Sequence, residues 1–222
     1  MRSLFPLTDF DFWAFLTAGA VVLAAADRTL GLGWLDRENW TVVQIGLAVA
    51  IAYLAGHVIA EVASRLLEGW LVHRVLGTPA ILLFSDAPSS LISQLLYSTY
   101  FRPIGAELRA RIERRAVEEG LSTDAKTLYT NAYVVARRDS LSAGRLAMFQ
   151  NQYSMCRNVS VACLLTAPAL ITVGVYAGRR ADMGWGVAAL LASCVMLVRF
   201  LKYYRLFSVE VLSTYAGGAG KS

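Results

Sequence analysis

The sequence is poor in the residues that build metal sites and disulfide frames. It has three cysteines and two histidines in 222 residues, with no CxxC pair and no second histidine four residues from His57. Structural zinc sites and disulfide-stapled folds need closely spaced groups of such residues. We therefore expect neither a metal nor a cofactor. Cys156, Cys163 and Cys194 should be small buried apolar residues.

Motifs for catalysis and nucleotide binding are lacking as well. The sequence contains no nucleophile elbow, kinase motif set or dinucleotide fingerprint. The ending GGAGKS is similar to the end of a P-loop, but the first glycine of that motif would fall at Tyr215. We therefore do not expect an enzyme. A lipid enzyme that uses His57 and Glu61 at the membrane surface is kept as a third alternative.

Charged residues are scarce. They make up 17% of the chain, against 56% hydrophobic residues, whereas an ordinary soluble domain carries about 25% charged residues. This composition indicates an integral membrane protein whose first partner is the lipid bilayer. The formal charge of +5 does not predict nucleic-acid binding, because the basic residues lie beside apolar runs and no nucleic-acid-binding motif accompanies them.

Long apolar runs are what the sequence does have. They cover residues 12–26, 41–63, 159–178 and 184–201. A helix needs about 20 residues to cross a bilayer, so the first run spans only if it extends to about 10–30. Its AAAD ending resembles a signal-peptide cleavage site, but Asp9 and Asp11 before it favour a retained span. The expected fold is an all-α membrane protein with four transmembrane helices in two pairs.

Basic residues predict the orientation of these spans. Only four of the 21 Lys and Arg residues lie in the short loops after the first and third spans: Arg28, Arg37, Arg179 and Arg180. By the positive-inside rule, the N- and C-termini and the long middle segment are then cytoplasmic.

The predicted organisation has four segments. Residues 1–63 form a first transmembrane pair, 64–157 a cytoplasmic helical insert, 158–201 a second pair, and 202–222 a cytoplasmic extension with a flexible tail. We expect the insert to be built partly from helix extensions, because no breaker interrupts span two before Leu76, span three after Ser140, or span four before about Thr214.

Two neighbouring ridges run along span two at a spacing of four residues. The small-residue ridge contains Ala52, Gly56 and Ala60, and the polar ridge contains Tyr53, His57, Glu61 and Arg65. Small residues let another helix approach closely. The polar ridge should point into the bundle, at a partner subunit or toward a wet cavity. It remains open whether it is a structural ladder with a Glu61–Arg65 pair, the lining of a pore or proton path, or a catalytic or metal site.

Two further patterns concern spans three and four. A polar cluster at the entry to span three contains Asn151, Ser154, Arg157 and Asn158. It is read either as an interfacial anchor or as a gate, and it could supply a partner for the polar ridge. Gly174 and Gly178 form a GxxxG pair that predicts close helix packing.

The stretch AYLAGHVIAEVASRLLEGWLVHRVLGTP, with the RN before span three, resembles a pattern in uncharacterised bacterial four-span membrane proteins, some of them similar to antiphage effectors. The resemblance implies a protein of the bacterial inner membrane with two spans, a cytoplasmic helical insert and two more spans. It assigns no role to any residue.

The function that we expect is that of a homo-oligomeric membrane effector. It would form a pore or disrupt the inner membrane when its cytoplasmic part is triggered, in antiphage defence if the resemblance holds. The face that receives the signal or partner would contain Arg109, Arg111, Arg115, Tyr129 and Tyr133. The alternative is a non-catalytic scaffold that holds a soluble cytoplasmic protein.

Overall fold

The protein is built from helices. Its structure, a computed structural model, describes residues 9–85 and 100–217, and no strand occurs among them. The helices are α1 (Asp9–Leu30), α2 (Val42–Ala63), a π-helix (Ser64–Leu76), α3 (Pro79–Leu82), α4 (Ala106–Glu118), α5 (Ala125–Arg138), α6 (Ser140–Tyr176) and α7 (Arg180–Gly217). Four helical stretches within the described ranges are long and apolar enough to cross a membrane: α1, α2 with its continuation, α6 and α7. The predicted all-helical membrane fold is confirmed.

The start of α2 is fixed by a capping box. The Thr41 hydroxyl accepts the backbone N–H of Gln44 at 3.3 Å, and the Gln44 side chain accepts the backbone N–H of Thr41 at 2.9 Å. These two bonds satisfy donors that a helix N-terminus otherwise leaves without partners. The second span therefore begins at a defined residue.

Span two continues to Leu76 as predicted, but its last 13 residues, Ser64–Leu76, wind as a π-helix. The segment ends at Gly77, which has a φ of 85° and donates its N–H to the Val72 carbonyl at 2.8 Å. π-helical winding is rare and usually limited to a single turn. A spacing of four residues therefore no longer describes which side chains share a face beyond Ala63.

The chain divides into two compact units. Unit 1 comprises Met1–Trp70 and Ser154–Phe200, and unit 2 comprises Leu71–Tyr153 and Leu201–Ser222. The helices α6 and α7 each contribute residues to both units. The sequence had placed the corresponding segment boundaries after residues 63, 157 and 201.

In unit 1, α1 and α2 touch through their backbones. A Cβ atom on Gly19 would lie 1.7 Å from the Ala52 carbonyl oxygen, and one on Gly56 would lie 1.9 Å from the Phe15 carbonyl oxygen. Only glycine fits at either position. This contact places Ala52, Gly56 and Ala60 on the buried side of α2.

The second helix pair of unit 1 is joined by reciprocal hydrogen bonds. The Ser160 hydroxyl donates to the Ser193 carbonyl and the Ser193 hydroxyl donates to the Ser160 carbonyl, each at 2.9 Å. Gly174 and Gly186 lie at close approaches between α6 and α7. The predicted packing role of Gly178 is wrong: its φ is 67° and no atom lies within 4 Å of a Cβ built on it, so it serves the turn between the helices.

Unit 2 has its own apolar core. The helices α4 and α5 pack there against the first part of α6 and the last part of α7, through buried residues that include Ile112, Leu128, Leu146 and Leu212. The Asp124 carboxylate caps α5 by accepting the Thr127 N–H at 3.2 Å. The part of the predicted flexible tail from residue 218 on lies outside the described residues.

Candidate functional site

The Glu61–Arg65 end of the polar ridge points away from the helices of its own unit. The side chains of Glu61 and Arg65 are 65% and 82% exposed, and they form an ion pair at 2.7 Å. Within a single chain, this end of the ridge therefore does not face into the bundle. The neighbouring small-residue ridge takes the buried side, because only small residues allow the backbone contact with α1.

Aromatic rings of α1 pack against Tyr53 and His57, the N-terminal half of the polar ridge. The imidazole of His57 stacks on the Phe15 ring, with centroids 4.1 Å apart, and the edge of Tyr53 meets the imidazole at 4.7 Å. Tyr53 in turn stacks on Phe12 at 5.4 Å. One face of the imidazole is thereby fixed against α1, while the side chain as a whole stays exposed.

A second polar centre lies inside unit 1. Arg157 on α6 donates to the Glu68 carboxylate, and these two side chains are only 12% and 23% exposed. The Arg157 guanidinium also donates to the Asn158 side-chain oxygen at 3.0 and 3.1 Å. The Nδ2 of Asn158 is buried and lacks a hydrogen-bond partner in the described part of the chain, and a polar group in that position costs about 1–3 kcal/mol.

This centre differs from the predicted polar cluster. Arg157 pairs with Glu68 and not with the polar ridge, so the hypothesis that the cluster completes that ridge is wrong. Ser154 is half-buried, and Asn151 belongs to unit 2. Sequence reasoning missed Glu68, although a guanidinium entering an apolar span signals an acidic partner at a similar depth.

Arg115, assigned to the signal or partner face, is instead a structural residue of unit 2. It forms an ion pair with Glu119 at 2.7 Å, lies 4.5 Å from the centre of the Tyr215 ring and donates to the Tyr215 carbonyl. The Tyr215 hydroxyl donates to the other oxygen of Glu119 at 2.7 Å. Glu119, at the acidic end of α4, is thus paired with both Arg115 and Tyr215.

Three more residues of that predicted face also contribute to the fold of unit 2. Tyr129 packs against the core and its hydroxyl lies 3.3 Å from that of Ser208, and burial raises the pKa of the Tyr129 hydroxyl. Tyr133 packs against the same core. Arg109 donates to the Phe84 carbonyl at 3.0 Å and pairs with Glu113 at 2.8 Å.

Arg111 is the exposed member of the predicted face. Its guanidinium lies 3.6 Å from Glu107, and both side chains are largely exposed. A partner that reads charge on α4 would therefore meet Arg111 and its exposed neighbour Arg114 before it could reach Arg115.

The cysteines differ in burial. Cys156 and Cys163 are buried as predicted, but Cys194 is exposed on α7, so that part of the prediction is wrong. Within residues 9–85 and 100–217, no group of three or more His, Cys, Asp or Glu side chains is arranged to hold a metal ion.

The fold defines the class to which the chain belongs: it is a multi-pass helical membrane protein with four candidate spans. No known protein family, curated protein or solved structure matches the chain.

Proposed function

We propose that the protein is a homo-oligomeric membrane effector whose subunits meet along α2, and whose polar ridge lines or gates a path through the bilayer. The observation that carries this proposal is the position of the ridge. Tyr53, His57, Glu61 and Arg65 lie on the span that its own chain covers least, with 17% of its most apolar window buried, against 28%, 22% and 44% for the other three spans.

Polar side chains that face lipid raise the free energy of a membrane protein. A charged side chain at the centre of a membrane helix costs about 2.5–3.5 kcal/mol. Glu61 and Arg65 lower that cost by pairing, and they lie near the end of α2. His57 lies about 6 Å deeper, at 1.5 Å per helical residue. A second copy packed on this face, or water between copies, would relieve the remaining cost.

Several copies are needed for a path. One four-helix protomer has too little polar surface to enclose water, whereas a ring of copies that present the same helix inward places one polar ridge per subunit on the axis. The stacking of His57 on Phe15 supports this arrangement, because it holds the imidazole in one orientation on the ridge. In the proposed ring, His57 and Glu61 line or gate the path.

The trigger in this proposal acts on unit 2, through exposed charges such as Arg111 on α4. The resemblance to antiphage effectors of the bacterial inner membrane adds a biological setting, with the termini in the cytoplasm. That setting is tested by comparing phage plating on bacteria with and without the gene.

The pore proposal is tested by expressing the protein in bacteria while recording growth and membrane potential with a potential-sensitive dye. Expression of the wild type should depolarise the membrane and slow growth. His57→Ala and Glu61→Gln should abolish both effects at equal protein levels, whereas Glu107→Gln in unit 2 serves as a carboxylate control. Depolarisation that persists in both ridge variants would remove the ridge from the path.

A scaffold is the second candidate, and the exposed arginines of α4 favour it. Arg111 and Arg114 can bind an acidic protein surface without disturbing the core of unit 2. Reversing both charges to glutamate should release a co-purifying soluble protein. Arg115 is unsuitable for this test, because its replacement would also break the contacts with Glu119 and Tyr215.

A further inference from the structure

Two adjoining cavities lie at the end of unit 1 where α1 ends and α7 begins. The first has a volume of about 450 Å³ and is lined mainly by apolar side chains of α1, α6 and α7, among them Val21, Leu170, Trp185 and Ala189. The second has a volume of about 510 Å³ and is lined mainly by charged residues and glycines from the end of α1, the start of α7 and the loops next to them. Arg28 lines both cavities.

The apolar cavity has the size and lining of a site for an amphiphile. Its volume falls within the range of about 300–1,000 Å³ that is typical of small-molecule pockets. It lies beside the last turns of α1, whose end marks the end of a candidate span. An acyl chain is the apolar ligand that a bilayer supplies at that depth.

The polar cavity contains cationic groups that are not saturated by their partners. The Arg28 guanidinium lies 4.0 Å from both Asp36 and Asp182, which is beyond the 2.7–3.2 Å of a good hydrogen bond. Arg179 lies 3.8 Å from Asp182. Electrostatic attraction to Asp36 and Asp182 thus positions the Arg28 guanidinium. Its N–H groups are available to hydrogen-bond to another acceptor.

Two of the three acidic residues of this cavity, Asp27 and Asp182, are already committed to the fold, whereas the side chain of Asp36 is 71% exposed. Asp27 is buried and accepts the backbone N–H groups of Trp34 and Leu35 at 2.7 and 3.2 Å, which shapes the loop after α1. The side chain of Asp182 is 3% exposed and lies in the first turn of α7. The charged groups left to face the open cavity are therefore three arginines, Arg28, Arg179 and Arg180, and one carboxylate, Asp36, beside a helix N-terminus that favours anions.

We propose that these two cavities form one binding site for a phospholipid. An acyl chain occupies the apolar cavity, and the phosphate group accepts hydrogen bonds from Arg28, with Arg180 beside it. Arginine is suited to this role because its planar guanidinium binds a phosphate through two parallel hydrogen bonds.

The proposal is tested by native mass spectrometry of delipidated full-length protein titrated with dioleoylphosphatidylglycerol. One phospholipid adduct should form with higher affinity than any later adduct. Dioleoylglycerol, which has the same chains without the phosphate, should bind at least tenfold more weakly. Inorganic phosphate should not displace the adduct, because it cannot fill the apolar cavity.

Two variants with matched controls locate the adduct. Arg28→Gln should weaken it about tenfold, whereas Arg37→Gln, in the loop after α1 and outside the lining of both cavities, should not. Ala189→Leu should weaken it by filling the apolar cavity, whereas Cys194→Leu on the same helix should not. If Arg28→Gln fails to fold, Arg180→Gln replaces it. The proposal is overturned if no preferred adduct forms, if dioleoylglycerol binds equally well, or if the cavity variants bind as the controls do.

Discussion

Arg157 and Glu68 form an ion pair inside unit 1, with side chains that are 12% and 23% exposed. The pair joins α6 to the π-helix that continues span two, and Asn158 extends it. Removing one member of a buried pair leaves the other charge without compensation. This relationship therefore leads to the largest stability effect that we expect from a single polar substitution.

Arg157→Ala should lower the free energy of unfolding by about 3–5 kcal/mol, as the loss of one partner of a buried pair does. The measurement is thermal unfolding in mild detergent, followed by circular dichroism. Arg65→Ala is the control, because the exposed Glu61–Arg65 pair should contribute less than about 1 kcal/mol. Equal destabilisation by the two substitutions would contradict the assignment of Arg157 and Glu68 as a buried, stabilising ion pair.

Gly56→Ala should destabilise the protein, whereas Gly46→Ala on the same helix should be neutral or stabilising. A Cβ on Gly56 would lie 1.9 Å from the Phe15 carbonyl oxygen, while nothing lies within 4 Å of one on Gly46. Overpacking costs about 1–3 kcal/mol, and alanine is favoured over glycine in helices by about 1 kcal/mol. The midpoint temperature of thermal unfolding should therefore fall in Gly56→Ala and should stay unchanged or rise in Gly46→Ala.

Ser160 and Ser193 should be energetically coupled. Each hydroxyl donates to the carbonyl of the other residue, and such bonds between membrane helices contribute on average about 0.6 kcal/mol. A double-mutant cycle of the alanine variants should give a coupling energy of that order. Purely additive effects would show that the two bonds act independently of one another.

Glu119 should make unit 2 sensitive to acid. Hydrogen bonds from Arg115 and then from Tyr215 hold the pKa of the Glu119 carboxyl below its usual value of 4.5. Because the folded-state pKa is the lower one, the stabilisation is present above about pH 4.5 and is lost as the pH falls through the folded-state value. Stability of the wild type should thus fall below that pH.

Glu119→Gln tests this pH dependence by removing the titrating group. The variant should be less stable than the wild type at neutral pH and should lose less stability on acidification. Glu118→Gln, at the exposed neighbouring position, should keep the wild-type profile. A Glu119→Gln profile parallel to that of the wild type would assign the acid sensitivity to other groups.

The sequence predicted the four spans well because apolar length is a direct requirement of the bilayer. The long continuations of α6 and α7 followed from the absence of breakers after Ser140 and before Thr214. Pro168 lies within α6 without ending it. These features depend on the local chain, and a single sequence is sufficient to find them.

Features that depend on contacts between distant residues were harder to predict. The Arg157–Glu68 pair joins positions 89 residues apart, and the π-helical winding after Ala63 has no simple residue pattern. Arg115 looked like an exposed charge because its partner Tyr215 lies on α7, 100 residues away. Gly178 matched a packing motif, yet the short turn before α7 required its left-handed backbone.

The central claim is that copies of this chain assemble through the polar ridge of α2. The most direct test is the native mass of the 24.2 kDa chain extracted from the membrane in polymer-bounded bilayer discs. We predict a closed ring of about four or more copies, the size that an aqueous path requires when each subunit contributes one helix. A monomer or simple dimer that persists across different polymers would contradict the pore proposal. The polar ridge would then be a packing surface only.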